Sequence, residues 1–152
     1  MTQVGSPLRS SRAARAMSTQ GCPIPLSQKK CVPCEGGVSA LGPEQVKELA
    51  AKTPLWAVGR LGDDGPQCIS RSWRTRGFLK GLELFRRVGE VAEETGHHPD
   101  LHLVSYNNVT VQLSTHAASG LTENDFIVAA KIDDLDLSDL ISRRKAPPAT
   151  VL

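Results

Sequence analysis

A chain of 152 residues suits one compact domain of about 100 to 120 residues plus a loose end. Its 39% hydrophobic and 22% charged content is ordinary for a soluble protein, and no apolar run approaches the ~18 to 20 residues that a membrane-spanning helix needs. The formal charge of +2 belongs to the N-terminus: Arg9, Arg12, Arg15, Lys29 and Lys30 all precede the first acid, Glu35, and the rest of the chain carries 13 basic side chains against 16 acidic ones, no footprint for DNA or RNA.

The first twenty residues, "MTQVGSPLRSSRAARAMSTQ", are rich in Arg, Ser and Ala, free of acids, and lack the apolar core of a secretory signal. That is the composition of an organelle transit peptide, and mitochondrial import is the expectation. Chloroplast import has much the same signature, a disordered tail is the plainer alternative, and Met17 offers a shorter, cytoplasmic start. Residues 1 to 40 hold Pro7, Pro23, Pro25, Pro33, Gly36 and Gly37 without sustained periodicity and read as a flexible leader. The domain is expected over 41 to 145, with a short tail from 146 to 152. Four cysteines in a chain without a secretory signal argue for reduced thiols, and "CVPC" (Cys31, Cys34) has zinc-knuckle spacing, but a structural site wants four ligands and, even with Cys22 joining, no second Cys-x-x-Cys exists. Cys68 falls in a strand-like run and reads as core.

"GPEQVKELAAK" places Pro43 at a first helical position and Val46, Leu49 and Ala50 at helical spacing, a short helix ending before Pro54. "LWAVGR" and "QCISRSWRTR" flank "LGDDGP", whose Asp64-Gly65 signals a hairpin. From Gly77 to Thr95, Phe78, Leu82, Phe85, Val88 and Ala92 recur at steps of three and four, the face of a second helix, and Gly96 fits the left-handed residue that closes it. "LHLVSY" and "VTVQLSTH" alternate around Asn107-Asn108, a pair tolerant of tight-turn geometry, and give a second hairpin. Thr122 with Asp125 resembles a capping box, and Phe126, Ile127, Ala130, Leu135 and Leu137 carry a last helix toward Ile141. The order α-β-β-α-β-β-α implies an α+β fold, a four-stranded antiparallel sheet with three helices on one face.

"GHHPDLH" holds three of the four histidines. Gly96 ends a helix and Pro99 restricts His98 to extended backbone, so two adjacent imidazoles leave the helix end on stiffened chain and diverge. His116 ends the strand that pairs with the one starting after Pro99, so antiparallel pairing gathers His97, His98 and His116 at one edge of the sheet. Glu93 can orient an imidazole or stand as an exposed helix carboxylate, and Asp125 can serve the helix dipole or bond His116. His102 alternates with Leu101 and Leu103 and reads as a strand-surface or core-edge residue rather than a catalyst. Zinc is the rival to acid/base work, although His-Glu-x-x-His is absent and Pro99 keeps His98 and His102 from sharing a helix interior.

"EETGHHPDLHLVSYNNVTVQLSTHAASGLTENDFIVAAKID" closely resembles the signature of the pterin-4a-carbinolamine dehydratases: Glu93, then His97-His98-Pro99, an aromatic seven beyond the proline (Tyr106), "STH" ending in His116, and "GLTENDF" with Asp125. Weaker similarity runs through Trp56, Trp73, Phe78 and Phe85, and "CVPCEGG" and the His98 to His116 spacing are similar to plant and bacterial members. The resemblance implies loss of water from a 4a-hydroxytetrahydropterin to give quinonoid dihydropterin, with no metal or organic cofactor. By position it implies His97, His98 and His116 as catalytic groups, Glu93 and Asp125 as supporting carboxylates, and Pro99, Tyr106, Ser114 and Thr115 as substrate-binding residues. Leu101 stands where the family often has an aromatic. A homodimer or homotetramer is implied too, and a non-catalytic role as assembly or dimerisation partner of another protein is the second reading of the same fold.

Overall fold

The computed structural model describes residues 24–33, 37–144 and 146. The transit-peptide reading, Cys34 of the zinc-knuckle spacing and the tail from 147 lie outside the described residues.

Helix α1 (Pro43–Lys52) starts with Pro43 at its first position, and the Gln45 side chain accepts the Gly42 N–H at 3.0 Å. Strands β1 (Ala57–Arg60) and β2 (Gln67–Arg74) form the first hairpin. Its loop runs from Leu61 to Pro66, closed by Leu61 N–H donating to Pro66 O at 3.0 Å. The left-handed residue is Gly62 (φ 67°), whereas Gly65 is needed for space, since a Cβ there would lie 1.7 Å from Leu61 O.

Helix α2 (Phe78–Thr95) ends on Gly96 in the left-handed conformation (φ 65°, ψ 22°), as its sequence implies. Its buried line is Gly81, Leu84, Val88, Val91 and Ala92; of the expected face, Val88 and Ala92 are buried and Phe85 packs against the core, whereas Phe78 and Leu82 face outward with Leu79. α2 carries apolar residues on two adjacent stripes, and the close approach of Gly81 to Leu103 selects the one that seats.

Strands β3 (Asp100–Val104) and β4 (Asn108–Leu113) form the second hairpin. The positive φ angles fall on Ser105 (50°) and Tyr106 (59°), not on the expected Asn107-Asn108. Asn107 is committed elsewhere: its carbonyl accepts the Thr75 N–H at 2.8 Å, tying this turn to the link between β2 and α2.

The sheet order is β1-β2-β4-β3, antiparallel throughout. Ile69, Trp73, Val109, Val111 and Leu113 alternate onto the face that meets the helices, which is the α+β arrangement expected. Helix α3 (Glu123–Asp133) is buried on nearly every side, from Asn124 to Ala129 and at Ile132. Arg71 pairs with Asp133 and lies over the Trp73 ring at 4.7 Å, and Trp56 donates its indole N–H to Asp133 at 2.8 Å.

The last helix stops at Asp133 rather than running to Ile141. Asp133, Asp134 and Asp136 crowd its C-terminal end, where the helix dipole disfavours negative charge. Leu137 and Leu140 are still buried, from irregular chain that Arg87 pins through the Asp136 carbonyl and the Asp139 carboxylate. Part of the expected flexible leader is also seated: Leu26 joins the main core, and a 3-10 turn at Leu26–Gln28 lies against α3.

Candidate active site

The end of α2 and the start of β3 fix the histidine pair. His97 turns inward, 6% exposed, and its Nε2 lies 2.7 Å from Asp125 Oδ1. His98 turns outward with its side chain 63% exposed, and its Nε2 lies 2.9 Å from Glu93 Oε1. The divergence expected from extended backbone is what separates one buried imidazole from one exposed neighbour. His116, exposed, opens a 3-10 turn (His116–Ala118) just beyond β4. A depression of about 240 Å³ is lined by Gly96, His97, His98, Ser114, Thr115, His116 and Ala117. Antiparallel pairing of β3 with β4 thus brings the three histidines together, with Ser114 and Thr115 beside them.

Asp125 is fully buried and serves two neighbourhoods at once. Its Oδ2 accepts the Thr122 N–H at 2.7 Å, which closes the capping box of α3, and the Thr115 hydroxyl at 2.9 Å; its Oδ1 faces His97. Of the two uses the sequence leaves open, the dipole and cap role holds, and the imidazole that Asp125 bonds is His97, not His116. An ionised carboxylate accepts only, so with Asp125 ionised the facing His97 nitrogen, Nε2, is the donor of this contact. Glu93, by contrast, holds an imidazole in solvent.

Ser114 donates its hydroxyl to Gln67 O at 2.9 Å, and Thr115 N–H donates to Gly120 O at 2.9 Å, which folds the 115–120 loop back on itself. Pro99 stiffens the chain behind His98 without lining the depression. Tyr106 is 66% exposed on the β3–β4 turn, where it lines a separate depression with Arg74, Arg76 and Arg144, so the structure does not bring it to the histidines. His102, half buried, bonds Gln112 Oε1 at 3.1 Å across the sheet. Cys68 is fully buried in β2; burial pushes its thiol up, with the charges of Asp100 and Asp125 adding to the effect, so it is no thiolate nucleophile. No three His, Cys, Asp or Glu side chains among the described residues are grouped to hold a metal ion. Sequence reading missed Thr115 as a partner of Asp125; the Thr-x-x-Asp cap marked Thr122 and the carboxylate, but nothing local tied Thr115 to them.

The α+β sheet thus presents three histidines at one depression, two of them held by carboxylates. Residues 39–135 match the family model described as Pterin 4 alpha carbinolamine dehydratase. The chain belongs to that family, whose dehydratases are lyases. It is 47% identical over 121 residues, 79% of this chain and 64% of the other, to the protein named pterin-4-alpha-carbinolamine dehydratase 2, mitochondrial, of Arabidopsis thaliana. It is 41% identical over 110 residues to a putative pterin-4-alpha-carbinolamine dehydratase of Halorhodospira halophila, with 72% of this chain and 96% of that one covered. Among solved structures, a transcriptional coactivator/pterin dehydratase from Brucella melitensis superimposes with a TM-score of 0.53 at 28% identity, over 62% of this chain and 96% of that one.

Proposed function

We propose that this chain dehydrates a 4a-hydroxytetrahydropterin to quinonoid dihydropterin and water, in recycling of the tetrahydropterin, by histidine acid/base catalysis. The carrying observation is the convergence of His97, His98 and His116 on one depression, two of them held by Asp125 and Glu93. In the reaction the C4a–O bond breaks, the departing hydroxyl takes a proton, N5 loses one, and the C4a–N5 double bond forms. A proton donor and a proton acceptor are needed on one small substrate, and imidazoles, which ordinarily titrate at about 6.5, serve as either near neutral pH. Ser114 and Thr115 line the substrate space. Glu93 and Asp125 act through the histidines they hold.

The test is to follow by ultraviolet absorbance the dehydration of freshly generated 4a-hydroxytetrahydropterin above its spontaneous rate, with His98→Ala alongside. Acceleration that the substitution abolishes supports the reading; no acceleration by the folded protein sinks it.

A second reading, assembly with a further copy or with another protein, draws on the outward line of Phe78, Leu79 and Leu82 on α2, 52%, 78% and 43% exposed. Apolar patches of this kind mark interaction surfaces. We infer a homodimer or homotetramer, to be checked by light scattering, and a Leu79→Glu substitution that leaves the mass unchanged would remove α2 from the interface. Import into an organelle, mitochondrial first, rests on the acid-free composition of residues 1–20 and on the mitochondrial relative's name.

A further inference from the structure

The first turn of α3 carries three consecutive polar side chains, one anchored to the histidine site and two to the segment before the domain. Asp125 holds His97. Asn124, only 1% exposed, grips the main chain of Val32 from both sides: its Oδ1 accepts the Val32 N–H at 3.0 Å, and its Nδ2 donates to Val32 O at 2.7 Å. Glu123 meets Lys29 at 2.5 Å. Leu26, 9% exposed, sinks into the core at the other end of the same segment. This segment, residues 26 to 32, precedes the family match, which begins at residue 39. A strap outside the matched residues thus closes its polar grips on the residues next to the carboxylate that holds the buried imidazole.

We propose that residues 26 to 32 position the Asp125–His97 pair, with Asn124 as the positioning residue. A helix turn gripped on one flank by Thr115 and Thr122 and on the other by Val32 and Lys29 has little freedom to rotate or slide. The Asp125 carboxylate moves with that turn, and the His97 ring moves with the carboxylate. A paired buried amide is the right device, because leaving it unpaired in the interior is unfavourable and the strap is thus drawn down onto α3. The catalytic part of this inference rests on the dehydratase reading; the mechanical part does not.

The experiment uses the full chain with two substitutions made on opposite sides of the contact. Val32→Pro removes the N–H that Asn124 accepts without touching α3, at a residue that is itself 59% exposed, and Asn124→Ala removes both bonds. Leu140→Ala, a fully buried core position of the C-terminal segment, serves as the control for general destabilisation. Two readouts are taken: kcat and KM, and the solvent exchange of the His97 Nε2 proton by NMR. The expected result is a kcat lowered about tenfold with KM within about twofold, since small displacements of positioned groups act on the chemical step. The His97 proton exchanges about tenfold faster in both strap variants. Leu140→Ala lowers Tm and leaves both readouts unchanged. Strap variants that lose only Tm, with kcat and proton exchange as in the parent chain, would overturn the proposal. A parent chain that does not dehydrate the pterin, but whose His97 proton responds to Val32→Pro, would remove the dehydratase reading and leave the mechanical coupling standing.

Discussion

Replacing Asp125 by asparagine changes one atom in the most connected side chain of the site. The Asp125 Oδ2 side receives the Thr122 N–H and the Thr115 hydroxyl, so the carbonyl oxygen of the new amide must sit there, and its NH2 group must face His97. Two donors then oppose each other across the 2.7 Å contact, and the contact is restored only if His97 moves its proton from Nε2 to Nδ1. The two retained bonds lose their charge assistance, about 1 kcal/mol each, and the exchange at His97 adds about 1 kcal/mol more, for a loss of about 2 to 3 kcal/mol. At about 3 to 6 °C per kcal/mol for a domain of this size, Tm falls by about 10 °C and the protein still folds. Activity suffers more. An imidazole locked in the wrong tautomer costs up to about 10⁴ in kcat in the serine-protease triad, and a fall of about 10² to 10⁴ is expected here. The assay pairs thermal unfolding with initial rates of pterin dehydration. An Asp125→Asn protein with kcat within about threefold of the parent would refute the tautomer argument.

His98→Ala removes a solvent-facing proton carrier and is expected to cost about 3 to 5 kcal/mol of barrier, the worth of one positioned proton transfer, with Tm nearly unchanged because the ring is exposed; retained activity in initial-rate measurements would exclude it as an acid or base. Glu83 is held at about 2 by hydrogen bonds first from Arg86 and then from Arg87, and a carboxyl lowered in the folded state contributes stability that is present above about 4.5 and fades as the pH falls toward about 2. Glu83→Gln should therefore lower Tm at pH 6 and leave it nearly equal to the parent's at pH 2, read by calorimetry; equal Tm values at both would show the exposed pair to be worth nothing. Cys68, fully buried and with its thiol pushed up, should resist iodoacetamide at pH 8 in the native protein and react after unfolding, and native labelling at Cys68 by mass spectrometry would contradict its place in the sheet.

Local chemistry made much of this molecule legible in the chain itself. Pro43 at the start of α1, Gly96 at the end of α2 and the Thr122–Asp125 box before α3 work through their own few neighbours, so each can be read without knowing the fold. Alternation and spacing likewise revealed the two hairpins, and the hairpin after Pro99 was enough to bring His116 back to His97 and His98. The left-handed turn residues were not legible, because Asn107 is taken up by Thr75, a residue of another link. Periodicity ran past the true end of α3, since Leu137 and Leu140 are buried from irregular chain and a buried leucine carries no mark of the backbone beneath it. It also put Phe78 and Leu82 on the inner face of α2 with Phe85, Val88 and Ala92, because two adjacent stripes are apolar and only docking decides where the first turns point.

The partner of each ionisable group belongs to this second kind. Asp125 and His97 stand 28 residues apart, and Asn124 and Val32 stand 92 apart, so no spacing rule links them. The sequence alone determined which elements form and which histidines converge, because capping, turn and pleat preferences act over a few bonds. Tertiary structure alone decided that Asp125 faces His97, that Tyr106 stands away, and that residues 26 to 32 clasp α3, because these depend on how whole elements pack.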